Sequence, residues 1–208
     1  MEHVEQAIGR PLTSQEIKQL QDYAQMLRQW NPKINLVSPT TLPDLEKRHI
    51  VDSAQLVPHL PAQEGLDVLD VGSGAGLPGI IMATLAPHHR FTLAERDQRK
   101  CAFLHMAAYT LGLKNLKVHA ADVTKLENQY DIVTCRAWAD MQAIFTLTSP
   151  LLKEQGSWLL LKGKALDAEL KVCETMFHLT EERFPSRVSD IDGGRGWVVK
   201  LTRGQVKL

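Results

Sequence analysis

The stretch from Leu69 to Ile80 reads LDVGSGAGLPGI. Apolar residues starting at Leu66 lead into it, and a second apolar run reaching Ala86 leads out. A strand entering a glycine turn that opens a helix is the first unit of a doubly wound α/β sheet. Nothing else in the chain constrains its fold as tightly. Two glycine patterns overlap in the turn. One is G-x-G-x-x-G at Gly74, Gly76 and Gly79; the other is D-x-G-x-G-x-G, from Asp70 through Gly72, Gly74 and Gly76. Glycine supplies shape here, because it lets backbone approach a ligand closely and tolerates positive φ.

The rest of the chain repeats the alternation. Strands are expected over 66–71, 90–95, 116–119, 131–135, 157–161 and 196–202. Helices are expected over 77–86, from an Asp97 cap to about Gly112, over 140–152 and over 166–178. Two further helices precede the first strand. Thr13 and Glu16 have capping-box spacing, with Ile17, Leu20, Ala24 and Leu27 on one face, and Pro32 is read as lying just past the end of a helix over 13–30. A second helix is expected from Pro43 to just before Pro61, with Ile50, Ala54 and Val57 on one face. The fold class is therefore α/β, a Rossmann-like doubly wound sheet. An N-terminal helical extension, 1–62, packs on a catalytic domain over 63–208.

The chain's 208 residues allow one well-buried domain with a short appendage. No basic segment followed by an apolar one opens the chain, and no apolar run nears the roughly 18 residues of a membrane span. A cytoplasmic protein with no membrane contact is expected. Cys101, Cys135 and Cys173 are far apart and odd in number, as free thiols are, and the eight histidines lack ligand spacing, so no metal is expected. Lysine plus arginine balances aspartate plus glutamate at 24 each, which argues against strong non-specific nucleic-acid binding but not against a local patch. From Gly193 to the end, Arg195, Lys200, Arg203 and Lys207 meet no acidic residue.

Glu95 closes the second expected strand, where a carboxylate accepts hydrogen bonds from ribose hydroxyls. That points to a nucleoside without choosing NAD or S-adenosylmethionine. Three details favour S-adenosylmethionine. The turn begins at Gly72, which the dinucleotide pattern leaves without a role. Pro78 withholds an N–H where a pyrophosphate needs one. Asp122 follows the third strand, within reach of an adenine edge. For the acceptor, TCRAWAD after the fourth strand is not the Asp/Asn-Pro-Pro-aromatic loop of exocyclic amine methylation. Cys135 as a covalent nucleophile is weaker than Cys135 as a small core residue. An acceptor such as guanine N7 carries a free lone pair and needs no base, which suits a sequence offering no evident one; no catalytic side chain is assigned. Arg136 can orient the cofactor or hold a base or phosphate. Trp138 can stack on a base or pack beneath a loop.

Several stretches together carry a resemblance: RQWNPKINLVS from Arg28, RHIVDSAQLVPHL from Arg48, the glycine turn, RKCAFL from Arg99, CRAWA from Cys135 and LLLKGK from Leu159. The chain resembles the bacterial 16S rRNA guanine-N7 methyltransferases of the RsmG (GidB) family over nearly its whole length. The resemblance implies methyl transfer from S-adenosylmethionine to N7 of a guanosine, position 527 in the usual rRNA numbering. The substrate would be 16S rRNA or the small ribosomal subunit, and the enzyme a monomer. It implies that Gly72, Gly74 and Leu77 contact the donor, that Glu95 binds its ribose, that Asp122 and Val123 flank its adenine and that Arg136 lines the pocket. With the helices folded over the sheet, Asn35, Arg48, His49, Asp52 and Ser53 are expected to form a polar cluster beside the cofactor mouth. Of these, Arg48 and His49, with Arg136, Lys162 and Arg195, are the RNA-contact candidates. A small-molecule methyltransferase, an NAD-dependent oxidoreductase and a non-catalytic RNA-binding module are the alternatives.

Overall fold

The computed structural model describes residues 1–136, 140–188 and 196–203. Seven strands form one sheet in the order β3-β2-β1-β4-β5-β7-β6. They are β1 (Asp67–Val71), β2 (Arg90–Ala94), β3 (Leu116–His119), β4 (Tyr130–Cys135), β5 (Leu152–Lys162), β6 (Leu179–Pro185) and β7 (Trp197–Arg203). β1 to β5 run parallel; β7 lies antiparallel between β5 and β6. The order reverses at β1, which pairs with β2 on one side and β4 on the other. In such sheets that reversal opens a crevice at the carboxyl ends of the strands.

The helices are α1 (Glu2–Ile8), α2 (Ser14–Ile34), α3 (Asp52–Ala54), α4 (Gly79–Leu85), α5 (Gln98–Leu111), α6 (Met141–Thr148) and α7 (Leu166–Cys173). Alternation along each strand divides the core. Val68, Phe91, Leu93, Ile132, Leu159 and Val198 face a cluster built with α1, α2, α4 and α5. Leu69, Val71, Val133, Trp158, Leu160 and Val199 face the other side, under α6 and α7.

Several elements differ from the sequence expectation. α2 does not stop at Trp30 but runs through Pro32 to Ile34. The proline ring denies a hydrogen bond to the carbonyl one turn back, on exposed Arg28, where solvent substitutes. The real stop is Asn35 at φ 49°, whose N–H bonds the Asn31 carbonyl, while the Asn31 side chain accepts from Val37 N–H at 2.7 Å. The helix expected from Pro43 is instead a π-helical segment, Glu46–Val51, that runs into α3, followed by a 3₁₀ turn at Val57–His59; another 3₁₀ turn, Pro39–Thr41, precedes it. The wider π turn is invisible to a 3.6-residue pattern. α6 and α7 end earlier than expected, and β5 starts five residues earlier, at Leu152 beside Tyr130. α1 and β6 carried no expectation.

Candidate functional site

The glycine turn is held from both sides. Gly72 and Ser73 N–H both donate to the Ala94 carbonyl, at 2.9 and 3.1 Å, which draws the turn against the end of β2. From the other side the buried Tyr23 of α2 donates its hydroxyl to the Ala75 carbonyl at 2.7 Å. Gly76 sits at φ +86°, and a Cβ there would lie 2.4 Å from Ile80 Cδ1. Gly79 is required for a different reason: its Cβ would stand 2.6 Å from Asp70 Oδ2, the atom that accepts the Gly79 N–H at 3.0 Å.

That last contact bears on the cofactor. The first free N–H of α4 is already bonded to a buried carboxylate, and Pro78 before it has none. A pyrophosphate at this helix start would lack a donor and meet a carboxyl group. Burial is the main reason the Asp70 carboxyl is pushed up to about 7, against the pull of the Gly79 hydrogen bond. Its Oδ1, and Thr134 Oγ1 in register on β4, are buried without a hydrogen-bond partner.

Glu95 follows β2 and is aimed by main chain. Its Oε1 accepts from Arg96 and Asp97 N–H, both at 2.8 Å, and its Oε2 accepts from Gly74 N–H at 2.9 Å. A carboxylate has about four acceptor positions, so one remains, on Oε2, for the ribose hydroxyls to share. Asp97 then caps α5 by accepting from Arg99 and Lys100 N–H. Asp122 caps the short turn Val123–Lys125 through Thr124, and that backbone hydrogen bond is the first cause holding its carboxyl below the usual range.

These groups surround a recess of about 460 Å³ lined by Val71, Gly72, Gly74, Ala94, Glu95 and Arg96, then Lys100, Ala121, Asp122, Val123 and Leu147. Five of the expected donor residues, Gly72, Gly74, Glu95, Asp122 and Val123, are among them. Leu77 and Arg136 are not; Leu77 is buried in the core beneath the turn. Arg96, Lys100 and Leu147 were not anticipated. Arg96 lies one residue past Glu95, just before the Asp97 cap, Lys100 comes from the first turn of α5, and Leu147 from α6. A recess with a carboxylate at a β2 end, apolar Val71, Ala94, Val123 and Leu147, and no backbone anion cradle fits an adenosine carrying a sulfonium better than a dinucleotide.

A second polar group lies at the end of β4, under the extension. Arg136 pairs through Nε with Asp52 Oδ2 at 3.3 Å and donates from Nη2 to the Arg48 carbonyl at 2.9 Å. Its Nη1 is buried with no partner among the described residues. Burial raises the Asp52 carboxyl, and Arg136 opposes the rise. Thr41 gives its one hydroxyl hydrogen to the Ser38 carbonyl, so at 2.7 Å from His49 Nε2 it must accept. His49 is therefore the neutral tautomer with a bare Nδ1, and burial first, then Arg136, brings its pKa down to about 4. Lys162 stands apart from this group and pairs with Glu169 at 2.5 Å. Trp138 and Arg195 lie outside the described residues. Cys135 is buried, and its thiol is pushed up to about 12, chiefly by that burial, which suits a core residue. Among the described residues no helix is long and apolar enough to cross a membrane, and no three or more His, Cys, Asp or Glu are placed to hold a metal.

Sheet order, glycine turn and carboxylate-lined recess define a Rossmann-like class I methyltransferase fold. Similar among solved structures is the O-methyltransferase TomG from Streptomyces achromogenes in complex with SAM, at TM-score 0.58 and 16% identity, with 90% of each chain covered. Sequence similarity narrows this further. The family model for rRNA small subunit methyltransferase G, GidB, matches residues 16–192. Ribosomal RNA small subunit methyltransferase G of Gluconobacter oxydans is 41% identical over 89% of this chain and 92% of its own length. The protein of the same name from Cereibacter sphaeroides is 40% identical over 84% and 86%. The chain belongs to the rRNA small subunit methyltransferase G family.

Proposed function

We propose that this protein transfers a methyl group from S-adenosylmethionine to N7 of guanosine 527 in 16S rRNA, presented as free RNA or in the small ribosomal subunit. The observation that carries the donor assignment is Glu95, fixed by three backbone N–H groups at the mouth of a recess that has no anion cradle. Membership of the rRNA small subunit methyltransferase G family supports the acceptor. S-adenosylmethionine supplies an already activated methyl group on a sulfonium. The chain's own residues bind, orient and exclude water. Glu95 takes the ribose hydroxyls, Val123 and Asp122 flank the adenine, Gly72 and Gly74 allow close approach along the turn, and Leu77 supports that turn from below. Arg136, held by Asp52 and the Arg48 carbonyl, keeps Nη1 without a partner among the described residues, and in this reading that atom is the one that takes the donor contact.

Guanine N7 has its lone pair in the ring plane and carries no proton, so no side chain has to remove one. This accords with a site whose histidine is neutral and whose cysteine is protonated. Arg48, Arg136, Lys162 and Arg195 are the cationic RNA contacts in this reading, with Lys162 exchanging Glu169 for a phosphate. His49 contributes an acceptor rather than a charge. The protein acts as a monomer in the cytoplasm.

The test uses small subunits from cells lacking this gene, purified protein and methyl-labelled S-adenosylmethionine, with the rRNA digested to nucleosides. Label in 7-methylguanosine is the expected result. Label in another nucleoside, or transfer that proceeds without RNA, overturns the acceptor assignment.

A further inference from the structure

Gln55 is 2% exposed, just past α3, and its amide is bonded on every side. The two hydrogens of Nε2 serve three acceptors, one of them shared: Asp52 Oδ1 at 2.8 Å, the Asp52 carbonyl at 3.1 Å and Ser186 Oγ at 3.2 Å. Oε1 accepts from Arg187 N–H at 2.9 Å. The amide orientation follows from chemistry: a backbone N–H can only donate, and the Asp52 carbonyl can only accept. Ser186 is the first residue after β6; its N–H closes the hairpin onto the Gly196 carbonyl at 2.9 Å, and its Oγ accepts from Val188 N–H at 3.2 Å. Close by, His59 stacks on Phe184 of β6 with ring centroids 4.0 Å apart. The other oxygen of Asp52 faces Arg136. One ion pair followed by hydrogen bonds therefore links the end of β4, through Asp52 and Gln55, to the turn leaving β6.

We propose that Gln55 is a positioning residue that couples Arg136, and with it the donor site, to the β6–β7 hairpin. The inference rests on the reading of Arg136 as a donor contact. A buried amide could have been replaced by a hydrocarbon of similar volume at little cost if filling space were its whole role, since its polar atoms must all be paired to be tolerated. What it adds is geometry. Asp52 cannot turn away from Arg136 without breaking its bond to Gln55, and Gln55 cannot follow without releasing Ser186 and Arg187. Binding that fixes Arg136 thereby restricts a hairpin on the far side of the extension, and restriction of the hairpin favours donor binding by the same factor.

Hydrogen–deuterium exchange on the full chain, with and without S-adenosylhomocysteine, tests this. In the wild type the ligand is expected to slow exchange at Arg187 and Val188 by about fivefold or more. Gln55→Leu is expected to bind the ligand yet show no ligand-dependent slowing there. Gln55→Glu separates the two halves of the path, because it can still accept from Arg187 N–H but presents an oxygen to Asp52. It is expected to keep the hairpin bond and lose the ligand dependence, and it serves also if Gln55→Leu folds poorly. Slowing at Arg187 that persists in either variant overturns the coupling, as does a wild type that binds the ligand without any change there. A wild type that does not bind S-adenosylhomocysteine overturns the donor reading, and this inference with it.

Discussion

Two carboxylates that accept backbone N–H groups of the glycine turn have opposite surroundings. Glu95 meets three N–H donors; Asp70 meets one, from Gly79, with its second oxygen bare. Substituting Glu95→Gln puts an amide NH₂ where Oε2 faces Gly74 N–H, so it both removes the ribose acceptor and sets one donor against another. Loss of a charge-assisted hydrogen bond should raise the dissociation constant for S-adenosylmethionine by about tenfold or more, read by calorimetry. Unchanged affinity would place the ribose elsewhere. Asp70 makes a pH prediction. Its folded pKa, about 7, lies above its ordinary value of 3.8. A raised folded pKa contributes stability that is complete below the unfolded value and lost as pH rises through the folded one. Asp70→Asn cannot ionise, so its melting temperature relative to the wild type should climb between about pH 5 and about pH 8. A constant difference across that range would show that Asp70 does not titrate there.

Capping decides the ends of several elements and is legible in the sequence. Thr13 accepts from Glu16 N–H while Glu16 accepts from Thr13 N–H at 2.8 Å, the reciprocal pair that their spacing indicates. Glu16 also holds Arg10 at 2.6 Å, and Arg10 donates to the Leu85 carbonyl at the end of α4. Thr13→Ala should therefore cost about 1 kcal/mol by denaturant titration, with no loss of donor affinity, because α2 begins far from the recess. Asp97 and Gly112 bound α5 by the same local logic. What escaped was set by partners remote in sequence. β6 is an edge strand with a largely exposed face, LTEERFP, so it has no apolar alternation to read. The Asn31 and Asn35 pair that ends α2 has the residues of a helix stop, yet Pro32 between them is the louder signal and misleads. At the site, Glu95 and Asp122 were legible because each follows a strand end. Lys100 and Leu147 enter the recess from helices, and helical position alone does not say which crevice a side chain overhangs.

At the scale of the molecule, the N-terminal extension and the sheet are one buried body. Val4, Leu20, Tyr23, Leu27 and Ile50 share a cluster with Val68, Ile80, Phe103 and Leu104 from the sheet and its helices. Trp30 meets Phe103 edge-on, with centroids 5.7 Å apart. This arrangement gives the extension a hold on the glycine turn itself, because Tyr23 donates to the Ala75 carbonyl in the middle of it. The hydroxyl is fully buried, and burial raises its pKa well above the ordinary value, so it stays a donor throughout the working pH range. Tyr23→Phe preserves the ring and its packing but strands the Ala75 carbonyl away from water. The cost to folding should be about 1–3 kcal/mol, the penalty of an unsatisfied buried acceptor. If the extension also sets the shape of the turn, donor affinity should fall several-fold in the same variant at temperatures where it remains folded. A melting temperature that drops while the dissociation constant for S-adenosylhomocysteine holds would mean that the Ala94 carbonyl, which anchors Gly72 and Ser73 from the other side, is sufficient to shape the turn. A fall in both would mean that the helices ahead of the sheet are part of the donor site's construction, even though none of their residues lines the recess.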